Sequence, residues 1–255
     1  MKRYKQDQHF LIDKRILKRI IEYGRLDSND TVLEIGAGYG NLTAELAEKA
    51  GKVIAIEIDP ELAISISRWK NVDVITGDAI KIEFPQFNKV ISNLPYSISS
   101  PITFKLLRCK FEFGILMYQH EFAKRMVALP GNKDYSRLSI AVQYFADVEL
   151  LEVVPPGAFS KLPEVNSAIV KLTPRPPPYK VDDEGFFMKF IAAVFSQRRK
   201  KLRNAIMNNA TLLGIKDIKA SLEKLPGRMI ERRAETISPE ELAGISDILR
   251  ANSNI

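Results

Sequence analysis

Between residues 31 and 174, short runs rich in β-branched and apolar residues recur, and in the first half an amphipathic stretch separates each from the next. TVLEIG, KVIAIEID, VDVITGD, KVISNL, FGILMYQ, VELLEVV and SAIVKL have the length and make-up of strands. NLTAELAEK, PELAISISRW and SPITFKLLR, between the earlier runs, have helical spacing. Strands that alternate with helices pair in parallel, and the helices cover both faces of the sheet. The alternation therefore predicts a doubly wound α/β fold on a mostly parallel sheet of seven strands. The last runs follow one another with little helix between them, so the sheet should end in an antiparallel pair. DKRILKRIIEYG, ahead of the first strand, reads as a helix with Asp13 as its N-cap.

TPRPPPYK, 173–180, ends this pattern, because three consecutive prolines continue neither a strand nor a helix interior. Beyond it every stretch is helical, and the last opens with a capping box from Ser238 to Glu241. The expected division is residues 1–177, with a basic N-terminal extension and helix, and a small all-helical domain, 178–255.

Composition narrows the chemistry. One cysteine, Cys109, excludes a disulfide framework and a cysteine-built zinc site, and two histidines, His9 and His120, leave little for a histidine-rich metal site or a Ser-His-Asp mechanism. No metal is expected. The 38 Lys+Arg against 31 Asp+Glu, net +7, suit an anionic partner such as nucleic acid. MKRYK at the N-terminus and QRRKKLRN near residue 200 carry concentrated positive charge. No apolar run has the length of a membrane helix and no signal-peptide pattern opens the chain, so the expectation is a soluble, cytoplasmic protein.

VLEIGAGYGN runs from a strand through Gly36, Gly38 and Gly40 into a helix. The spacing G-x-G-x-G differs from the dinucleotide fingerprint, and no Gly-Lys-Ser/Thr follows to make a P-loop. Glu57 ends the second strand and Asp78 the third. Taken singly, the glycines could form a plain tight turn and each acid a solvated strand end. Together they converge on the carboxyl edge of the sheet, where such folds bind ligands, with Glu57 able to accept ribose hydroxyls and Asp78 an adenine amino group. The ligand should contain adenosine. This pattern resembles the class I S-adenosylmethionine-dependent methyltransferases, which implies a Rossmann-like fold and a glycine loop, Gly36 and Gly38, against the methionine part.

NLPY, Asn93 to Tyr96, ends the fourth strand beside that edge and resembles the Asn/Asp/Ser-x-Pro-Tyr/Phe tetrapeptide of amino-methyltransferases. The adenine exocyclic amine is a poor nucleophile because its lone pair is delocalised into the ring. The Asn93 side-chain carbonyl and the Leu94 backbone carbonyl could accept its two N–H groups and favour a pyramidal nitrogen. Pro95 would fix both acceptors, and Tyr96 offers a face for a base taken out of its stack.

QHFLID at 8–13, LMYQHEFAKRM at 116–126, YSRLSIAVQ at 135–143, PPGAF at 155–159 and FSQRRKKLRN at 195–204 resemble the motifs of the rRNA adenine N6,N6-dimethyltransferase family. The resemblance implies transfer of two methyl groups to each of two adjacent adenines in the 3′-terminal hairpin loop of small-subunit rRNA, within an assembling small subunit, leaving S-adenosylhomocysteine. It implies cofactor contacts at His9, Leu11, Gly36, Glu57, Asp78 and Asn93, and Phe159 sandwiching the target base opposite Tyr96. His9 stands where many members have Asn. Residues 1–177 would then be catalytic and 178–255 would bind RNA or the ribosome, with Lys161, Arg198, Arg199, Lys200 and Arg203 as candidate RNA contacts in a monomer. The cations of 198–203 should wrap around a helix, some touching phosphate and others paired with acids of the first domain.

Two departures stand out. Asp7 precedes Gln8 where the family has Gly, and Phe159, Lys161, Pro163, Val165 lacks one proline of the family's loop, which should loosen the segment holding Phe159. Cys109 reads as a small buried residue and Trp69 as core or an adenine-side lid. The alternatives are a large-subunit rRNA adenine methyltransferase, an assembly factor whose methylation is secondary, and, disfavoured by the glycine spacing, an NAD-dependent oxidoreductase.

Overall fold

The computed structural model describes residues 9–251, so the basic N-terminal extension, Asp7 and Gln8 lie outside the described residues. Contacts divide the chain into two units, residues up to 123 with 146–175, and residues 124–145 with those from 176 onward.

The first unit holds one seven-stranded sheet, in the order β3-β2-β1-β4-β5-β7-β6. Its strands are β1 (Thr31–Ile35), β2 (Lys52–Glu57), β3 (Val72–Thr76), β4 (Lys89–Asn93), β5 (Phe113–Gln119), β6 (Ala146–Val154) and β7 (Ser167–Pro174). The first five are parallel; β7 runs antiparallel to β5, and β6 antiparallel to β7. All seven expected strands form, as does the antiparallel edge. Central strands covered on both faces need apolar residues at successive positions, and Val32, Leu33, Ile35, Val53 to Ile56, Val90 and Ile91 are all buried.

Helix α1 (Lys14–Gly24) begins as expected, with the Asp13 carboxylate accepting from the Arg15 amide at 2.8 Å. It buries Ile16, Leu17 and Ile20 against the core. Helices α2 (Asn41–Lys49), α3 (Pro60–Ile66) and α4 (Ser99–Leu106) follow β1, β2 and β4. Below the sheet, the amino ends of β1 and β4 are tied by a buried ion pair of Lys89 and Asp30, 2.9 Å, which Asn88 joins through its amide at 2.7 Å. A buried pair needs such extra hydrogen bonds to offset desolvation. The carboxyl edge above is left open to a cavity.

The second unit is helical: α6 (Arg137–Phe145), α7 (Glu184–Phe195), α8 (Leu202–Asn208), α9 (Ile218–Glu223), α10 (Gly227–Ile230) and α11 (Pro239–Ala251). Helix α5 (His120–Val127) spans the division. The capping box of α11 closes in both directions: the Ser238 amide donates to Glu241 at 2.9 Å and the Glu241 amide to Ser238 at 3.2 Å. The partition differs from a single cut at 177/178. Residues 124–145 join the helical unit, because Tyr135 and Tyr144 pack into its core, 5.5 Å from Phe195 and 5.6 Å from Phe187 between ring centroids. Gln143 fastens this segment by donating to the Met126 and Ala128 carbonyls. A boundary drawn where composition changes misses a helix that folds onto residues fifty positions further along.

Candidate active site

The loop between β1 and α2 takes a path that suits glycine. Gly36, Gly38 and Gly40 have φ of 76°, 58° and 82°, in the left-handed region that a Cβ disfavours. Space is also short: a Cβ on Gly36 would stand 3.0 Å from the Pro95 ring, and one on Gly38 2.7 Å from the Phe10 ring. Trp69, half-buried, packs against the core near where a Cβ on Gly40 would lie and is not among the residues that line the cavity.

Glu57, 4% exposed at the end of β2, holds the loop in place. One carboxylate oxygen accepts from the Gly38 amide at 2.8 Å and the other from the Asp59 amide at 2.9 Å. A carboxylate has about four lone-pair sites, so each oxygen keeps one for a ligand hydroxyl. Asp78 follows β3 through Gly77, whose amide donates to the Glu57 carbonyl at 2.8 Å. The Asp78 side chain caps its own turn, accepting from the Ile80 amide at 3.0 Å.

Asn93 ends β4 in register with Met117 of β5. Its side-chain amide donates to the His9 carbonyl at 3.0 Å, which orients the group and leaves Oδ1 as an acceptor. Leu94 is buried, and Pro95 holds φ −58° before a one-turn 3-10 helix over Tyr96–Ile98. The Tyr96 hydroxyl lies 2.6 Å from Oγ of the buried Ser167 on β7. Burial pushes that hydroxyl's pKa up, and the Ser167 hydrogen bond pulls it partly back. The His9 ring stacks on Tyr96, with centroids 5.4 Å apart and 29° between planes.

These groups line one cavity. His9, Gly36, Gly38, Glu57, Asp78, Asn93, Leu94, Pro95 and Tyr96 border it, together with Phe10, Ile35, Ile56, Ile58, Gly77, Ala79, Ser97 and Ile98. A mostly apolar cavity with a few convergent polar groups is the usual form of a small-molecule site. Ile58 and Ala79 each directly follow one of the expected acids, a position that could have marked them. The backbone cradle that a Cβ would fill, the acids at two strand ends and the apolar walls fit an adenosine-bearing ligand.

Two expected site residues are elsewhere. Phe159, 2% exposed, and Leu11, 3% exposed, are paired by an antiparallel bridge and packed in the α/β core. The Ile12 and Asp13 amides donate to the Ala158 carbonyl, and the Ser160 amide to the Phe10 carbonyl at 2.9 Å. Tied this way, the strap at 9–13 and the loop at 158–161 hold Phe159 and Leu11 in the core, and neither borders the cavity. Lys161 enters through its backbone: its carbonyl is 2.9 Å from His9 Nδ1.

The basic run also differs from expectation. Residues 196–200 form a turn between α7 and α8, so Arg198, Arg199 and Lys200 lie in the turn, while Lys201 caps α8 and only Arg203 lies in it. Arg198 donates to the Lys133 and Tyr135 carbonyls and lies 3.7 Å from Glu235. Lys201 pairs with Glu231 at 2.7 Å, and Arg203 reaches it at 3.9 Å. These partners belong to the helical unit itself. Arg199 and Lys200 are exposed and make no ion pair among the described residues.

Sequence reasoning passed over Glu34. It lies mid-strand in β1, 2% exposed, and accepts from the Thr43 hydroxyl at 2.7 Å. Burial pushes its carboxyl up to about 8, against the Thr43 hydrogen bond and with the help of the Glu57 charge.

Sheet order and strand-end chemistry together define the class. The molecule is a Rossmann-like S-adenosylmethionine-dependent methyltransferase. The family described as ribosomal RNA adenine dimethylase matches residues 1–236. A probable ribosomal RNA small subunit methyltransferase A of Methanosarcina acetivorans is 58% identical over 247 residues, 95% of this chain and 92% of that protein. Its counterpart from Thermococcus gammatolerans is 47% identical over 250 residues, 96% and 88% of the two chains. A dimethyladenosine transferase from Plasmodium falciparum superposes with a TM-score of 0.79 at 33% identity, over 93% of this chain and 96% of that one. The 23S rRNA methyltransferase ErmE gives 0.68 at 27% identity, over 94% and 99%. The chain belongs to the ribosomal RNA adenine dimethylase family.

Proposed function

We propose that this protein dimethylates N6 of two adjacent adenosines in the 3′-terminal hairpin loop of small-subunit rRNA, in the cytoplasm and late in subunit assembly, acting as a monomer. The observation that carries the chemistry is the hydrogen bond from the Asn93 side-chain nitrogen to the His9 carbonyl, which leaves Oδ1 as the acceptor for an incoming donor. Oδ1 and the Leu94 carbonyl then accept the two N–H groups of an exocyclic amine. Accepting both draws the nitrogen towards a pyramid and frees its lone pair. Glu57 would hold the ribose of S-adenosylmethionine, Asp78 its adenine, and the backbone at Gly36 and Gly38 its methionine part. The cofactor supplies an electrophilic methyl group on sulfur. The chain contributes position and fixed acceptors and needs no strong base.

The small subunit is favoured over the large by the 58% identity to a small-subunit enzyme, against 27% to the 23S enzyme. The test is methyl transfer from labelled S-adenosylmethionine to unmethylated small subunits, with labelled nucleosides identified by mass spectrometry. Dimethyladenosine from two adjacent adenines is the expected product; label only in naked large-subunit RNA would turn the reading to the other substrate.

The helical unit would supply phosphate contacts through Arg199 and Lys200, the two exposed cations of the 198–203 run without an ion pair among the described residues. Changing Arg199 and Lys200 together to alanine is expected to weaken subunit binding and to lower the slope of log affinity against log salt by about one per residue. Titrations across a salt series check this. Arg198→Ala should behave otherwise, lowering the thermal midpoint, because Arg198 holds two carbonyls of its own unit.

A further inference from the structure

Lys105, half-buried in α4, reaches across to the loop that carries Asp78. An ammonium has three N–H donors, and this one meets three backbone carbonyls: Ala79 at 2.8 Å, Ile80 at 3.1 Å, and Ile82. Its Nζ also lies 4.1 Å from the centroid of the Phe84 ring, a cation–π distance. The turn is thus closed from two sides. The Asp78 carbonyl accepts from the Lys81 and Ile82 amides, and Lys105 gathers the carbonyls that follow.

The peptide unit between Ala79 and Ile80 links this lysine to the cavity. Its carbonyl accepts from Lys105, and its N–H donates to Oδ1 of Asp78 at 3.0 Å. A trans peptide is planar, with C=O and N–H pointing opposite ways. Holding the carbonyl therefore sets the direction from which Oδ1 is gripped, and the bond at one end polarises the unit and strengthens the bond at the other. Oδ2 has the exposed Lys81 ammonium 3.9 Å away and keeps room to accept from a ligand. Asp78 and Ala79 border the cavity, as do Tyr96, Ser97 and Ile98, which lead directly into α4. Lys105 thereby ties one wall of the cavity to another.

We propose that Lys105 is a positioning residue for the cofactor's adenine: through the Ala79–Ile80 peptide it holds the Asp78 carboxylate so that the carboxylate accepts from the adenine amino group. It thereby sets selectivity for an amino over a carbonyl substituent on the purine. The amino group donates to the carboxylate, whereas a carbonyl would set acceptor against acceptor. This inference rests on the reading of Asp78 given above.

The test is calorimetry with S-adenosylhomocysteine and with its deaminated analogue S-inosylhomocysteine, in which a carbonyl replaces the adenine amino group. The unaltered protein should prefer the adenine compound by roughly 10- to 100-fold, the worth of a hydrogen bond to a charged group. Lys105→Met keeps an unbranched side chain and removes all three donors. It should cut that preference by a factor of roughly three to ten, the worth of an ordinary hydrogen bond. Lys105→Gln, which retains two donors, gives the same readout with a smaller cut if the methionine variant does not fold. A lysine that only braced the fold would weaken both ligands alike or neither. An unchanged preference, in whichever of the two variants folds, overturns the proposal. Asp78→Asn tests the reading beneath it and should abolish the preference. An Asp78→Asn protein that keeps the full preference removes Asp78 from the adenine whatever Lys105 does, so the two failures are told apart.

Discussion

Asn93→Ala is expected to lower the single-turnover rate of methyl transfer by about 10²- to 10³-fold, the range for loss of one fixed hydrogen-bonding group at a reacting centre. Cofactor affinity should fall much less, because the glycine cradle, Glu57 and Asp78 do not depend on the Asn93 side chain for their own hydrogen bonds. Asn93→Asp separates the two jobs of the amide. It keeps an acceptor oxygen but sets a carboxylate against the His9 carbonyl, so the group loses its anchor and its aim. Its rate should fall between those of the alanine variant and the unaltered protein. Rapid-quench transfer at saturating S-adenosylmethionine, paired with calorimetry of S-adenosylhomocysteine, measures both quantities. A normal rate for Asn93→Ala with normal cofactor affinity would remove the acceptor mechanism.

What the sequence disclosed follows the range of the forces involved. Seven strands, the Asp13 cap and the Ser238 to Glu241 box depend on residues within a few positions of each other, and all are found. The glycine loop and the two acids were legible because strand ends in a parallel sheet meet at one edge, so reading the elements is enough to gather the residues. The packing of Phe159 was not legible: a motif names a residue but not its neighbours, and a bridge to Leu11, 148 positions away, ties it to the core. The ion-pair partners of the 198–203 run were not legible for a similar reason: the acids paired with three of its cations lie about thirty residues further on. The His9 ring on Tyr96 is also a long-range pairing, made when the strap at 9–13 is tied to the loop at 158–161.

The pH dependence of folding should carry the mark of Glu34. Its carboxyl stands at about 8 in the folded chain, against an ordinary 4.5. Below about 4.5 both folded and unfolded chains hold the proton, and Glu34 makes stability no function of pH. Between these values only the folded chain holds it, so stability falls as pH rises, by about 1.4 kcal/mol per unit. Above about 8 both states are ionised and the loss is complete, a few kcal/mol in all. Glu34→Gln keeps an acceptor for Thr43 and has no proton to lose. Its stability relative to the unaltered protein should therefore climb between pH 5 and 8 and level off above, whatever constant offset the amide introduces. Asp13 and Asp183 work in the opposite direction and in another window. Hydrogen bonds from Arg15 hold Asp13 at about 2, and those from the Phe186 amide and Arg250 hold Asp183 below the usual range. Both favour folding above their ordinary values and lose that effect only in acid. Urea unfolding at pH 5.5, 7 and 8.5 separates the windows: parallel curves for Glu34→Gln and the unaltered protein would mean that Glu34 is already ionised under the glycine loop, beside the charge of Glu57.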